Sequence, residues 1–208
     1  MASSTMLTSR GSSYDFPLLF EIGWEVANKS GGIYTVLRSK VPVTAEEYGE
    51  RYCLIGPYMA NAAAVEFEEL PPPKPFAEPL KKMLSQGVGL HFGRWLVPGN
   101  PHALLFDIGK SWSRIDGWRA YALSRIHCRL LMYVREYREK TGIDCHPGDK
   151  ETNDAILFGF LVAWFLREVY HEVHTRKIIC HFHEVLLSRC FSVRDLRFPM
   201  LSGWLLLG

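Results

Sequence analysis

The 208-residue sequence contains no CxxC pair, and its cysteines are few and odd in number: Cys53, Cys128, Cys145, Cys180 and Cys190. Zinc ribbons and disulfide frameworks need paired, regularly spaced thiols, so both are disfavoured and a reducing cytosol is the expected compartment. Long apolar runs are also absent. The longest, from Ala155 to Leu166, has 12 residues, against the roughly 20 that span a bilayer, and reads as a buried helix. Residues 1–14 are rich in Ser and Thr and lack the apolar centre of a secretory leader. There is no excess of one charge: 24 Lys and Arg face 22 Asp and Glu, for a net +2. That balance argues against nucleic acid and membrane surfaces as partners, because both require a concentrated basic face. No internal repeat is present.

What remains is an ordinary globular composition, 48% hydrophobic and 13% aromatic, long enough for one domain with a core. Residues 1–15 form a polar tail expected to be disordered. Residues 17–22 are a continuous apolar run of strand length, followed by a loop closing on Lys29-Ser30-Gly31-Gly32. Residues 33–40 then have helical spacing, with Pro42 expected to end the helix. Residues 51–56, 90–97, 102–108 and 177–181 read as further strands, and Pro98-Gly99-Asn100-Pro101 separates the middle two. Prolines 71–73, 75 and 79 suggest an exposed, stiff connection. Residues 118–140 have an amphipathic helical pattern. Asn153 is placed to cap a helix running to about His171, with Asp154 in its first turn. Strands alternating with helices imply a mostly parallel α/β sheet covered on both faces. Ligands of such sheets bind beyond the carboxyl ends of the strands, where Lys29 and His183 both fall.

Five blocks carry a resemblance: residues 20–40 (FEIGWEVANKSGGIYTVLRSK), 52–58 (YCLIGPY), 91–96 (HFGRWL), 150–161 (KETNDAILFGFL) and 181–184 (HFHE). In this order they resemble the eukaryotic glycogen synthases, the family having an apolar residue in place of Ser30. The resemblance implies a Rossmann-like parallel sheet, the N-terminal domain of a GT-B glycosyltransferase, over residues 16–184. It implies retaining transfer of glucose from UDP-glucose to the non-reducing end of an α-1,4-glucan, without a cofactor or metal. It further implies glycogen and glycogenin as partners, an oligomer, a cytoplasmic location, and activation by glucose 6-phosphate at a site outside this chain. Residues 121–145 match nothing familiar and are read as an insertion. Residues 185–208 are read as a divergent tail, and loss of the usual last strands is expected to leave an apolar sheet edge. The 208 residues alone are therefore expected to be inactive. An alternative is a shortened, non-catalytic chain that binds glucan or glycogenin. A third reading, another nucleotide-sugar enzyme of the same architecture, is disfavoured by the first and fourth blocks.

Within this frame the substrate-binding candidates are Lys29, Gly31, Gly32 and His183. A nucleotide sugar releases a diphosphate as it reacts. A lysine stabilises the charge that develops, and glycines allow backbone N–H groups to approach it at a helix N-terminus. The plainer reading of Lys29 is a surface lysine beside a packing turn. His181 and His183 alternate onto one side of a strand. With Glu184 they suggest a metal site, but three ligands in one extended segment strain a tetrahedral geometry and no fourth is evident. The resemblance instead places His183 near the donor sugar. The plainer reading, strand-end packing, weighs about equally. Glu21 and Glu25 are read as supports of the glycine loop rather than as a catalytic pair. Trp24, Trp95, Trp112 and Trp118 are read as core or rim residues before sugar platforms. The basic residues of 118–140 are read as a solvated face. Arg10-x-x-Ser13 fits a basophilic kinase, which makes Ser13 a regulatory candidate.

Overall fold

The computed structural model describes residues 16–114, 150–173, 177–183, 200–201 and 204–207. Eight strands form one sheet: β1 (Leu18–Ile22), β2 (Tyr52–Pro57), β3 (Phe67–Glu69), β4 (Gly89–Trp95), β5 (His102–Asp107), β6 (Ile178–Phe182), β7 (Met200–Leu201) and β8 (Trp204–Leu207). Their order is β3-β4-β5-β2-β1-β6-β8-β7. The four central strands, β5, β2, β1 and β6, are parallel, as strand–helix alternation led us to expect, and they form the Rossmann-like centre that the resemblance implies. The flanks differ from that expectation, since β3, β4, β7 and β8 pair antiparallel. For β4 and β5 the reason is the length of the connection. A parallel return needs a crossover of about a dozen residues, whereas Pro98-Gly99-Asn100-Pro101 turns tightly with positive φ at Gly99 and Asn100. On the other side β8 pairs with β6 from Ile178↔Leu207 to His181↔Trp204. The bare edge expected beside β6 is therefore covered by backbone hydrogen bonding from the C-terminal segment.

Every residue of β1 and β2 is buried, because helices cover both faces of the sheet. On one face α1 (Gly32–Tyr48) lays Tyr34, Leu37 and Val41 over Leu19, Tyr52, Leu54 and Leu105. On the other, α3 (Lys74–Ser85) and α4 (Lys150–Val173) pack Phe76, Leu80, Leu157, Leu161 and Phe165 against Leu18, Phe20 and Ile22. Phe20 meets Phe76 and Phe165 at centroid separations of 5.7 and 5.8 Å. Each such side chain contributes about 1.5–3 kcal/mol by leaving water. The short α2 (Ala60–Glu66) links β2 to β3.

Three helix boundaries depart from the sequence reading. Pro42 does not end α1 but lies inside it. The buried stripe Tyr34, Leu37, Val41 and Thr44 continues across the proline, and that burial offsets the lost backbone hydrogen bond. The proline-rich connection is partly helical: Pro75 lies at the start of α3, where a missing N–H costs little, and Pro79 joins its buried face. Asn153 is not a cap, because α4 is already helical from Lys150 and both Asn153 and Asp154 are buried within it. The helix expected at 118–140 lies outside the described residues.

Gly93 gives a direct test of the β3–β4 pairing. A Cβ there would sit 1.9 Å from the Glu68 carbonyl oxygen, and backbone cannot move aside as a flexible side chain can. Gly93→Ala is expected to lower stability by about 2–3 kcal/mol, read as a shift of the urea midpoint. An unchanged midpoint would place β3 elsewhere.

Candidate functional site

The chain leaves β1 through α1 to β2 and β5 on one side, then returns through α4 to β6 on the other. The gap between the carboxyl ends of β1 and β6 is therefore the topological switch point, where α/β sheets form their ligand crevice. Two loops meet there. The first, after Ile22, contains Lys29, Gly31 and Gly32. The second begins at His183, whose amide donates to the Ile22 carbonyl at 3.0 Å. Lys29 and His183 thus lie on the same edge, as their positions after strands required.

The first loop is held by its own backbone. The Gly23 amide donates to the Ile55 carbonyl, and the Val26 and Asn28 amides donate back to Gly23 and Glu25. Ala27 takes φ of 50°, a left-handed conformation that a Cβ disfavours by about 1 kcal/mol. The buried Glu25 carboxylate, through Oε2, accepts the Gly31 amide at 2.7 Å and the Tyr34 amide at 2.9 Å. It closes the first turn of α1, where the macrodipole favours an anion. The Gly31 amide, expected for the diphosphate, is thus bonded to Glu25 instead. A Cβ at Gly31 would stand 2.7 Å from Glu25 Oε1, whereas one at Gly32 would meet nothing within 4 Å. Gly31 is glycine so that the carboxylate can approach; steric need does not dictate Gly32. Lys29 is exposed and makes no ion pair among the described residues. Glu25→Ala is expected to cost about 2 kcal/mol by removing two charge-assisted bonds to backbone N–H, with Lys29 still exposed. A urea midpoint equal to wild type would refute the capping role.

The second loop rests on a buried charge cluster. Glu21, fully buried on β1, accepts from His183 Nε2 at 3.0 Å and pairs with Lys40 Nζ at 2.5 Å. Lys40, on α1, also reaches His181 Nδ1 at 3.2 Å. The two imidazole centroids lie 4.2 Å apart. Burial pushes the Glu21 carboxyl up, but hydrogen bonds and charge from His183 and Lys40 outweigh it and lower its pKa. Burial, then the proximity of His183 and Lys40, pushes His181 down to about 4. Burial and the adjacent Glu21 charge raise Tyr52, whose hydroxyl has no hydrogen bond of standard geometry. Glu21, His181 and His183 have the composition of a metal site. The ammonium of Lys40 already lies among these donors, and a divalent ion would have to displace it. Glu184 and Ser13 lie outside the described residues.

The pH dependence follows from these directions. The unfolded chain takes a proton on His181 near 6.5, and the folded one does not until about 4. Stability therefore falls as pH drops through that window, by about 1 kcal/mol for a partly solvated group. Glu21, with its pKa lowered from 4.5, contributes stability above that value, lost as pH falls through the folded one. Urea unfolding at pH 7 and pH 5 checks the first effect, and His181→Asn should remove it. Equal wild-type midpoints at the two pH values would contradict it.

Sequence reasoning singled out Lys29 and His183 but missed Lys40, which connects α1 to both histidines. Its only signal was helical spacing that places it on the side of α1 facing the loop. The core reading holds for three tryptophans. Trp95 is fully buried and donates to Glu66, Trp24 packs edge-on against Phe158, and Trp112 donates to Asp154. Cys53 and Cys180 are free and buried. Among the described residues no helix is long and apolar enough to cross a membrane.

Comparison with known proteins adds to this geometry. The glycogen synthase family model matches residues 21–197. A glycogen [starch] synthase of Neurospora crassa is 42% identical over 170 residues, covering 81% of this chain and 22% of its own length. The liver glycogen [starch] synthase of Rattus norvegicus is 39% identical, covering 80% and 22%. The glycogen [starch] synthase of Dictyostelium discoideum is 41% identical, covering 80% and 17%. The chain thus spans about a fifth of the length of these relatives.

Proposed function

Because this chain belongs to the glycogen synthase family, we propose that it forms part of the donor side of an enzyme that transfers glucose from UDP-glucose to the non-reducing end of an α-1,4-glucan. The observation that carries the reading is the meeting of the Lys29 loop and His183 at the switch point of the parallel strands. Lys29, exposed beside the N-terminus of α1, supplies a cation for the diphosphate as it departs. Gly32, with open space where a side chain would be, allows the diphosphate near the backbone. Gly31 serves less directly, by admitting the Glu25 carboxylate. His183 offers a hydrogen bond to the donor sugar.

Glycogen as acceptor, glycogenin as partner, oligomerisation, a cytoplasmic location, activation by glucose 6-phosphate and phosphorylation at Ser13 extend the same proposal. The first five draw support from family membership, and the last from the Arg10-x-x-Ser13 pattern. GT-B architecture, with a second domain across the cleft, belongs to it as well.

The test is a titration of the labelled 208-residue chain with millimolar UDP-glucose, followed by amide chemical shifts. Shifts should concentrate at residues 23–33 and at His183. Shifts confined to the outer surfaces of α3 and α4, or none, would refute the reading.

A further inference from the structure

The Glu21 cluster has a use that neither the donor reading nor family membership assigns. A carboxylate has only acceptor oxygens, so the 3.0 Å contact with His183 requires the hydrogen on Nε2. A lysine ammonium has only donors, so the 3.2 Å contact with His181 requires a bare Nδ1 and places that ring's hydrogen on Nε2. Glu21 belongs to β1, Lys40 to α1 and both histidines to the β6 end. The cluster therefore spans the three elements that frame the crevice. Its burial makes it consequential: Glu21 is fully buried, Lys40 pairs with Oε1, and rotation of His183 away would leave Oε2 without its hydrogen bond where water does not replace it.

We propose that Glu21 is a positioning residue, clamping His183 in the Nε2–H tautomer so that its Nδ1 is held as a hydrogen-bond acceptor, with Lys40 keeping the carboxylate charged and in place. The proposal rests on the reading of His183 as a donor-sugar contact. It specifies the polarity of that contact: the sugar hydroxyl donates and the imidazole accepts. A histidine free to exchange tautomers would present the acceptor only part of the time and would discriminate less against groups with no O–H to give.

The experiment uses the 208-residue chain labelled with nitrogen-15 at histidine, observed by long-range nitrogen–proton correlation at pH 7.5 without any sugar. His183 is expected to show a single Nε2–H pattern in wild type. In Glu21→Gln, which preserves shape and removes the charge, it should show a mixture of tautomers. A wild-type His183 that is mixed or Nδ1–H overturns the proposal, and so does a Glu21→Gln pattern identical to wild type. The wild-type spectrum decides even if the variant does not fold. A second arm separates the clamp from the reading beneath it: UDP-glucose titration of His183→Ala. Loss of the donor-induced shifts with an unclamped wild-type ring removes the clamp alone. Retained shifts with a clamped ring remove the sugar contact.

Discussion

Incorporation of labelled glucose from UDP-glucose into glycogen by the 208-residue polypeptide alone is expected to lie at least about 10⁴-fold below that of an equal amount of a full-length relative, with glucose 6-phosphate present. The described residues build one sheet with one crevice edge, and the chain covers about a fifth of its relatives. Retaining transfer requires donor and acceptor to be held together and shielded from water. At this edge Lys29 is exposed, so its charge acts through water, where an ion pair is worth little compared with a closed site. Two or three missing contacts at about 2–4 kcal/mol each suffice for a loss of this size. Incorporation within tenfold of the full-length relative would show that the fragment needs nothing more.

The second large effect is expected when residues 18–183 replace the matching segment of a full-length relative. Lys29→Ala in that chimera should lower kcat about 10²-fold or more while leaving the affinity for glycogen nearly unchanged. The argument concerns timing. The diphosphate gains charge as the glycosidic bond breaks, so a lysine there stabilises the transition state more than the bound donor, and its loss appears in kcat. The Lys29 side chain makes no ion pair among the described residues, so its removal breaks nothing that holds the fold. Stability should stay within about 0.5 kcal/mol of wild type. That separates it from Glu25→Ala, which loosens the start of α1. Unchanged kcat would return Lys29 to the status of a surface charge beside a turn.

Comparison of particular elements shows what could be read from the chain. The run at 17–22 announced β1 because a strand buried on both faces is continuously apolar. The alternation of such runs with helical spacing announced the parallel centre and its covered faces. His181 and Phe182 were placed correctly at the end of a strand, with His183 just past it. The helix boundaries at Pro42, Pro75 and Asn153 were misread because local preferences were taken alone. Burial of the Tyr34–Thr44 stripe outweighs the cost of one proline, and helix starts tolerate another.

The sequence by itself determined the family, the parallel α/β centre, and the candidacy of Lys29 and His183, since these rest on ordered motifs and local periodicities that are each legible along the chain. Tertiary structure decided the antiparallel flanks and the cover that β8 gives to β6. It also decided the diversion of the Gly31 amide to Glu25, and the cluster of Glu21, Lys40, His181 and His183. That cluster joins residues up to 162 positions apart, and its three elements meet only when the sheet orders β2, β1 and β6 side by side. No local pattern encodes such a meeting, because the free energy that enforces it comes from packing across the sheet and from the cost of leaving Glu21 buried without partners.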